Sequence, residues 1–200
     1  MARPHSRGIF CLEGDWWNDL NHSSTVKPVL KLLSLSADQP IPFVHRDVGT
    51  VQEMQYYLAK WANRGMSRYP LLYLAFHGTN GTLHVGDRRR AGSDVDLDTL
   101  AEWLDGRLKG RIVHFGSCET LRADRRHIQR FLRRTGATAA TGFRESIDWL
   151  KSSAFEVLMF DVILRRPFTV ASAQRIKQDL WREIPGLARQ LEFRMEIRDT

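Results

Sequence analysis

Apolar and polar positions along this chain follow two periods that take turns. Runs of strand length occur at Ile9-Phe10-Cys11-Leu12-Glu13-Gly14, at Ile41 to Val48 and at Tyr69 to Phe76. They recur at Arg111 to Phe115 and in the small-residue segment Gly136 to Phe143. Between them, apolar residues return every three or four positions. A helix is expected from Thr25 to Leu35, with Ser24 or Thr25 as its cap and Pro28 in its first turn. Thr50-Val51-Gln52-Glu53 has the form of a capping box, and Val51, Met54, Leu58 and Trp61 form one stripe behind it. Leu97, Leu100, Leu104 and Leu108 mark a helix opened by Asp96 or Asp98 and released at Gly110. Ile128, Phe131 and Leu132 mark another, from Asp124 to Arg134. Ile147 to Leu164 is apolar almost all round, which predicts burial on more than one side. Val170 to Ile184 is amphipathic and stops at Pro185-Gly186. The tail Leu191 to Arg198 alternates like a half-exposed strand, an edge that can pair with a second copy of the chain.

Strand and helix repeated in this way predict an α/β fold, a three-layer sandwich with a mostly parallel central sheet of five or six strands flanked by helices. With 200 residues, 42% of them hydrophobic, one domain spanning 1–200 can bury its own core. The longest apolar runs fall short of the roughly 18 to 20 residues that span a bilayer. The basic N-terminus runs straight into a strand without a cleavable apolar region, so a soluble cytoplasmic protein is expected, with no membrane partner. Two cysteines make no disulfide framework, and Cys11, inside a strand, reads as a small buried hydrophobe.

The formal charge is +7, and much of the excess sits in Arg122, Arg125, Arg126, Arg130, Arg133 and Arg134. These are either the solvated face of an amphipathic helix or a nucleic-acid surface. The first is the simpler reading, because no aromatic-basic recognition motif accompanies them. Gly14-Asp15-Trp16-Trp17 lacks Gly-x-Gly-x-x-Gly and no Gly-Lys-Ser/Thr loop occurs, so neither dinucleotide nor P-loop chemistry is indicated.

Two of the apolar runs end in reactive side chains. Leu71 to Phe76 stops at His77-Gly78-Thr79-Asn80-Gly81, and Arg111 to Phe115 stops at Gly116-Ser117-Cys118-Glu119-Thr120, where a helix is expected to follow within a few residues. Ligands bind outside the carboxyl ends of parallel strands, so the two ends are placed to share one site. Cys118 is the candidate nucleophile and His77 its proton carrier, the thiolate being favoured by imidazole and by a helix start. The N–H groups of Gly78 and Cys118 would make an oxyanion hole. Such a pair needs no cofactor. The rival is zinc held by His77, His84, His114 and Cys118, but their spacing matches no structural zinc pattern, and His114 lies inside a strand. Arg88 to Ser93 is polar and suits a loop at the rim of the site.

Leu72-Tyr73-Leu74-Ala75-Phe76-His77-Gly78 and Ile112-Val113-His114-Phe115-Gly116-Ser117-Cys118 resemble the two signature strands of caspase-like cysteine peptidases, and among them most the bacterial CHAT peptidases, relatives of separase. The resemblance extends through Thr141-Gly142-Phe143 and Ile147-Asp148-Trp149-Leu150 to Val170-Ala171. The separation, 118 − 77 = 41 positions, is near the roughly 50 residues between the caspase histidine and cysteine. The resemblance implies a caspase-like sandwich in which His77 ends the third strand and Cys118 the fourth. It also implies a cysteine endopeptidase acting on protein or peptide substrates, in a bacterial defence or stress pathway. Gln-Ala-Cys-Arg-Gly is absent, and Gly116 stands two positions before Cys118, so the specificity pocket is unassigned. Arginine-directed relatives place an acid there; Asp148 or Glu145 can fill that role, or Asp148 can simply cap the next helix. No sensor repeats accompany the domain, so an activator would be a separate molecule or the chain's own assembly. A non-catalytic caspase-like interaction module, binding protein partners or nucleic acid through the basic helix, is the alternative function.

Overall fold

The computed structural model of the chain describes residues 7–17, 21, 24–36, 39–87, 89 and 92–199. In chain order the main elements are β1 (Ile9–Glu13), α1 (Lys27–Ser34), β2 (Phe43–Asp47), α2 (Val51–Trp61), β3 (Leu71–Ala75), β4 (His77–Thr79), β5 (Thr82–His84) and β6 (Asp94–Asp96). They continue with α3 (Leu97–Trp103), β7 (Ile112–Phe115), α4 (Arg125–Thr135), β8 (Ala139–Phe143), α5 (Trp149–Leu164), α6 (Val170–Glu183), α7 (Pro185–Gln190) and β9 (Phe193–Ile197). Six strands form the central sheet in the order β2-β1-β3-β7-β8-β9. The first five are parallel and β9 runs antiparallel at the edge.

Side chains alternate across this sheet and so divide the core in two. Along β3, Leu71, Tyr73 and Ala75 join the layer formed by α1, α5, α6 and α7. Leu72, Leu74 and the following Phe76 join the layer of α2, α3 and α4. Continuous apolar strands are what a sheet covered on both faces requires. Gly142 in β8 is needed for close pairing, because a Cβ there would stand 2.8 Å from the carbonyl oxygen of Phe115.

Several boundaries differ from the pattern of the sequence. The cap of α1 is neither Ser24 nor Thr25. Val26 holds that position, and its free N–H is bonded at 2.7 Å by the carboxylate of Glu13 at the end of β1. Thr25 still contributes locally, its Oγ1 accepting from the Lys27 N–H at 3.1 Å, but the Val26 N–H is satisfied by a residue distant along the chain, which local spacing cannot reveal. The α3 helix ends at Trp103, with Leu104 and Leu108 buried in the turns beyond it. Helix α6 does stop ahead of Pro185-Gly186, at Glu183, but the same pair also opens α7, Pro185 taking the first-turn position it tolerates.

The segment after His77 is more built than a loop. Strands β4, β5 and β6 form a separate antiparallel sheet, turned at Asn80-Gly81. His77 therefore opens this small sheet rather than ending β3, with the buried Phe76 between the two. Arg88, Arg90 and Ala91 of the expected rim loop lie outside the described residues. No helix among the described residues is long and apolar enough to cross a membrane.

Candidate active site

Cys118 stands in a tight turn just past β7, half-buried. The turn is locked from inside: Ser117 Oγ and Thr120 Oγ1 lie 2.6 Å apart, both buried, and Thr120 Oγ1 also reaches the Cys118 carbonyl at 3.4 Å. Glu119 adopts φ 55°, a left-handed conformation that is costly for any residue with a side chain. Strain of that kind beside a thiol is the sort that gathers at working sites. The following helix is farther away than the sequence suggested. A short 3-10 turn spans Thr120–Arg122 and α4 starts only at Arg125, where the Asp124 carboxylate caps the Arg126 N–H at 2.7 Å. The helix start is therefore not at Cys118, which leaves imidazole as the group available to stabilise a thiolate.

His77 and Gly78 meet this turn from the small sheet. A Cβ on Gly78 would stand 2.3 Å from Thr120 Oγ1 and 2.9 Å from the Cβ of Ser117, so only glycine lets β4 lie against the cysteine turn. Gly81 adds a bond of 3.1 Å from its N–H to the Thr120 carbonyl. The His77 ring is fixed from the far side, its Nε2 lying 2.5 Å from the carbonyl oxygen of Trp16. A carbonyl only accepts, so Nε2 carries the hydrogen and Nδ1 keeps the lone pair of a base. The Trp16 ring stands edge-on to His77 at 5.3 Å and to Trp149 at 4.8 Å.

His77 and Cys118 line one cleft of about 350 Å³. Trp16, Trp17, Ile147 and Trp149 form aromatic and apolar walls; Tyr73, Gly116 and Glu156 also line it, with Asp148, Ser152 and Ser153 from the start of α5. Among the described residues no lysine or arginine lines this cleft, although the chain as a whole is basic. Ser146 Oγ approaches the Cys118 sulfur at 4.0 Å.

Two buried carboxylates hold residues that line the cleft, Tyr73 and Trp16. Glu156 is 3% exposed and accepts from the Tyr73 hydroxyl at 2.7 Å, while its other oxygen lies 3.0 Å from His114 Nε2. Burial, and then the Glu156 charge, push the Tyr73 hydroxyl well above its ordinary pKa, so it stays a donor. Glu13 is the second. Burial alone would raise its pKa, but hydrogen bonds from His45, Trp16, Thr25 and the Val26 N–H outweigh that and hold it below the usual value. Glu156 does not stand out in the sequence because nothing local sets it apart from Lys151 and Asp161 of the same helix; it shares a face with the buried Ser152, Met159 and Phe160.

The remaining candidates divide. Asp148 caps α5, its Oδ1 accepting from the Lys151 N–H at 2.9 Å, and it also stands in the cleft lining. Glu145 is exposed, outside the cleft lining, and its carbonyl accepts from the Glu119 N–H at 3.3 Å. His114 has both ring nitrogens engaged, Nδ1 with Thr141 at 2.9 Å and Nε2 with Glu156. His84 lies between Asp94 and Thr79. These two histidines are thus occupied away from Cys118. Glu13, His45 and Asp47 come within metal-ligand distance of one another, but the Glu13 oxygens are already taken by four donors. Of the arginines near α4, Arg122, Arg125, Arg130 and Arg134 each face an acid within 4 Å, and Arg126 and Arg133 are exposed.

The fold has a counterpart among solved structures. It matches the crystal structure of caspase-1 from Spodoptera frugiperda with a TM-score of 0.51 at 13% identity, over 97% of this chain and 88% of that one. The chain therefore has a caspase-like fold, though at that identity only the fold is shared. No curated protein sequence matches it. A family model does, over residues 6–196, and the chain belongs to that family, described as a family of unknown function, DUF6642.

Proposed function

We propose that this chain is a cysteine endopeptidase in which Cys118 is the nucleophile and His77 the acid-base group. The supporting observation is that His77 Nε2 is committed to the Trp16 carbonyl while the ring opens on the same cleft as Cys118, leaving Nδ1 as the base. In the acylation step Nδ1 takes the thiol proton, and the sulfur attacks the peptide carbonyl carbon. The carbonyl π electrons move to oxygen, where the N–H groups of Gly78 and Cys118 receive the charge; one such donor is worth about 3 kcal/mol. The C–N bond then breaks as His77 returns its proton to the amine. In deacylation a water gives its proton to Nδ1 and attacks the thioester carbon; the C–S bond breaks, the acid is released and Nδ1 returns the proton to sulfur, restoring the thiol.

The substrate class follows from the cleft lining. Asp148 and Glu156 contribute carboxylates, the tryptophans offer faces for a long aliphatic stem or a cation, and no lysine or arginine among the described residues lines the cleft. A lysine or arginine beside the scissile bond fits that chemistry. Kinship with the CHAT peptidases belongs to the same proposal and rests on the sequence around His77 and Cys118. So do cytoplasmic action in a defence or stress pathway and a separate activator. The edge of β9 is the surface through which a second copy would add, displacing Lys177 and Gln129 from the Met195 and Ile197 carbonyls they now occupy.

Reaction with iodoacetamide tests the dyad directly. Cys118 should be alkylated faster than free cysteine, and His77→Ala should slow it to the rate of an ordinary thiol. Peptides containing arginine or lysine should be cut, and Cys118→Ala should abolish cutting with the fold intact. An alkylation rate indifferent to His77 would overturn the dyad and return the chain to the class of interaction modules.

A further inference from the structure

Glu13 lies at the end of β1 and is 2% exposed. Its carboxylate offers about four acceptor sites, and four donors occupy them. Oε1 receives the Trp16 indole N–H at 2.8 Å and the Val26 backbone N–H at 2.7 Å. Oε2 receives the Thr25 hydroxyl at 2.7 Å and faces His45 Nε2 at 2.6 Å. The cap of α1 accounts for one of these bonds and the tie to β2 for another. The bond to Trp16 joins no helix or strand; it holds a side chain that packs at the margin of one core layer. Trp16 lies in an irregular segment, only partly buried, and Glu13 holds its indole nitrogen.

What Trp16 does with its other end explains the tether. Its carbonyl is the acceptor that fixes His77 Nε2, and its ring packs edge-on against the imidazole. The intervening chain has little slack, because a Cβ on Gly14 would stand 2.5 Å from the Phe76 ring, the residue just before His77. We infer that Glu13 is a positioning residue for the dyad: through the Trp16 indole it holds the Trp16 carbonyl, and so fixes both the tautomer and the direction of His77. This rests on the dyad reading above and extends it to a residue whose carboxylate is absent from the lining of the His77–Cys118 cleft. Without the tether the Trp16 carbonyl is free to move, and the imidazole can rotate or carry its hydrogen on Nδ1, where it is no base toward the thiol.

A double-mutant cycle separates this role from general support of the fold. The second-order rate of Cys118 alkylation by iodoacetamide would be measured across a pH range for the full chain, for Glu13→Gln and for Trp16→Phe, each with and without His77→Ala. Glu13→Gln and Trp16→Phe should each slow alkylation about tenfold near neutral pH, with the pH profile moving toward that of a free thiol. In the His77→Ala background the same changes should alter the rate less than about twofold, because the group they act through is gone. Equal losses in both backgrounds, or no loss in either, would overturn the positioning role and leave the dyad standing. If His77→Ala alone leaves the rate unchanged, the dyad fails and this inference with it. Trp16→Phe leaves Glu13 with three of its four donors, so it carries the test if Glu13→Gln does not fold.

Discussion

Cys11 and Cys118 are the same residue type in two different settings. Cys11 is fully enclosed in β1, and burial, with the charge of Glu13 next, pushes its thiol well above the ordinary value. Cys118 is half-buried and opens on the cleft. In the native chain one cysteine should therefore react with iodoacetamide, with a second appearing in mass spectra only after denaturation. Gly78 gives a sharper test. The added methyl of Gly78→Ala would meet Thr120 Oγ1 and the Ser117 Cβ, and relief requires β4 to move away from the cysteine turn. Turnover should fall about a hundredfold, the loss typical of one misplaced oxyanion donor. Overpacking should cost about 1 to 3 kcal/mol in a urea denaturation. His77, Gly78 and Cys118 were legible in the sequence because each follows an apolar run, a signal carried by immediate neighbours. Glu13 and Glu156 were not, because what makes them informative is their partners: Val26 and His45 for one, Tyr73 and His114 for the other.

The same limit governs the elements. The capping box of α2 reads correctly, Thr50 Oγ1 accepting from the Glu53 N–H at 3.2 Å while Glu53 reaches back to Gly49, because both partners lie within one turn. The start of α1 escapes such reading, since its cap comes from another strand. That cap makes the junction of β1, β2 and α1 sensitive to acid. The folded pKa of Glu13 is depressed below the ordinary 4.5. Its contribution to stability is therefore complete above that value and is lost as pH falls through the lower, folded one. Glu13→Gln should lower the urea midpoint near neutral pH and flatten its fall below about pH 4.5, whereas the unaltered chain should show the full decline. Helix α7 was hidden for a different reason: proline and glycine signal a break and a helix start alike, and only packing against α5, α6 and β9 decides between them.

At the scale of the whole molecule, the alternation of strand and helix was enough to give a mostly parallel sheet covered on both faces, with the reactive ends on one rim. Of the separate sheet of β4, β5 and β6 the sequence reveals only a strand-like arm at Thr82 to Asp87, because three-residue strands carry too little periodicity to be read. Size is the feature of the cleft that bears on what the molecule can act upon. A hollow of about 350 Å³, walled by three tryptophans, is near the small end of cavities that hold a compact ligand. One long side chain fills it, and no folded surface can enter. A globular target would have to offer the bond on a protruding, pliable loop, so exposure of the chain to native proteins should yield a few large fragments with ends at such loops, and the same proteins once unfolded should be reduced much further.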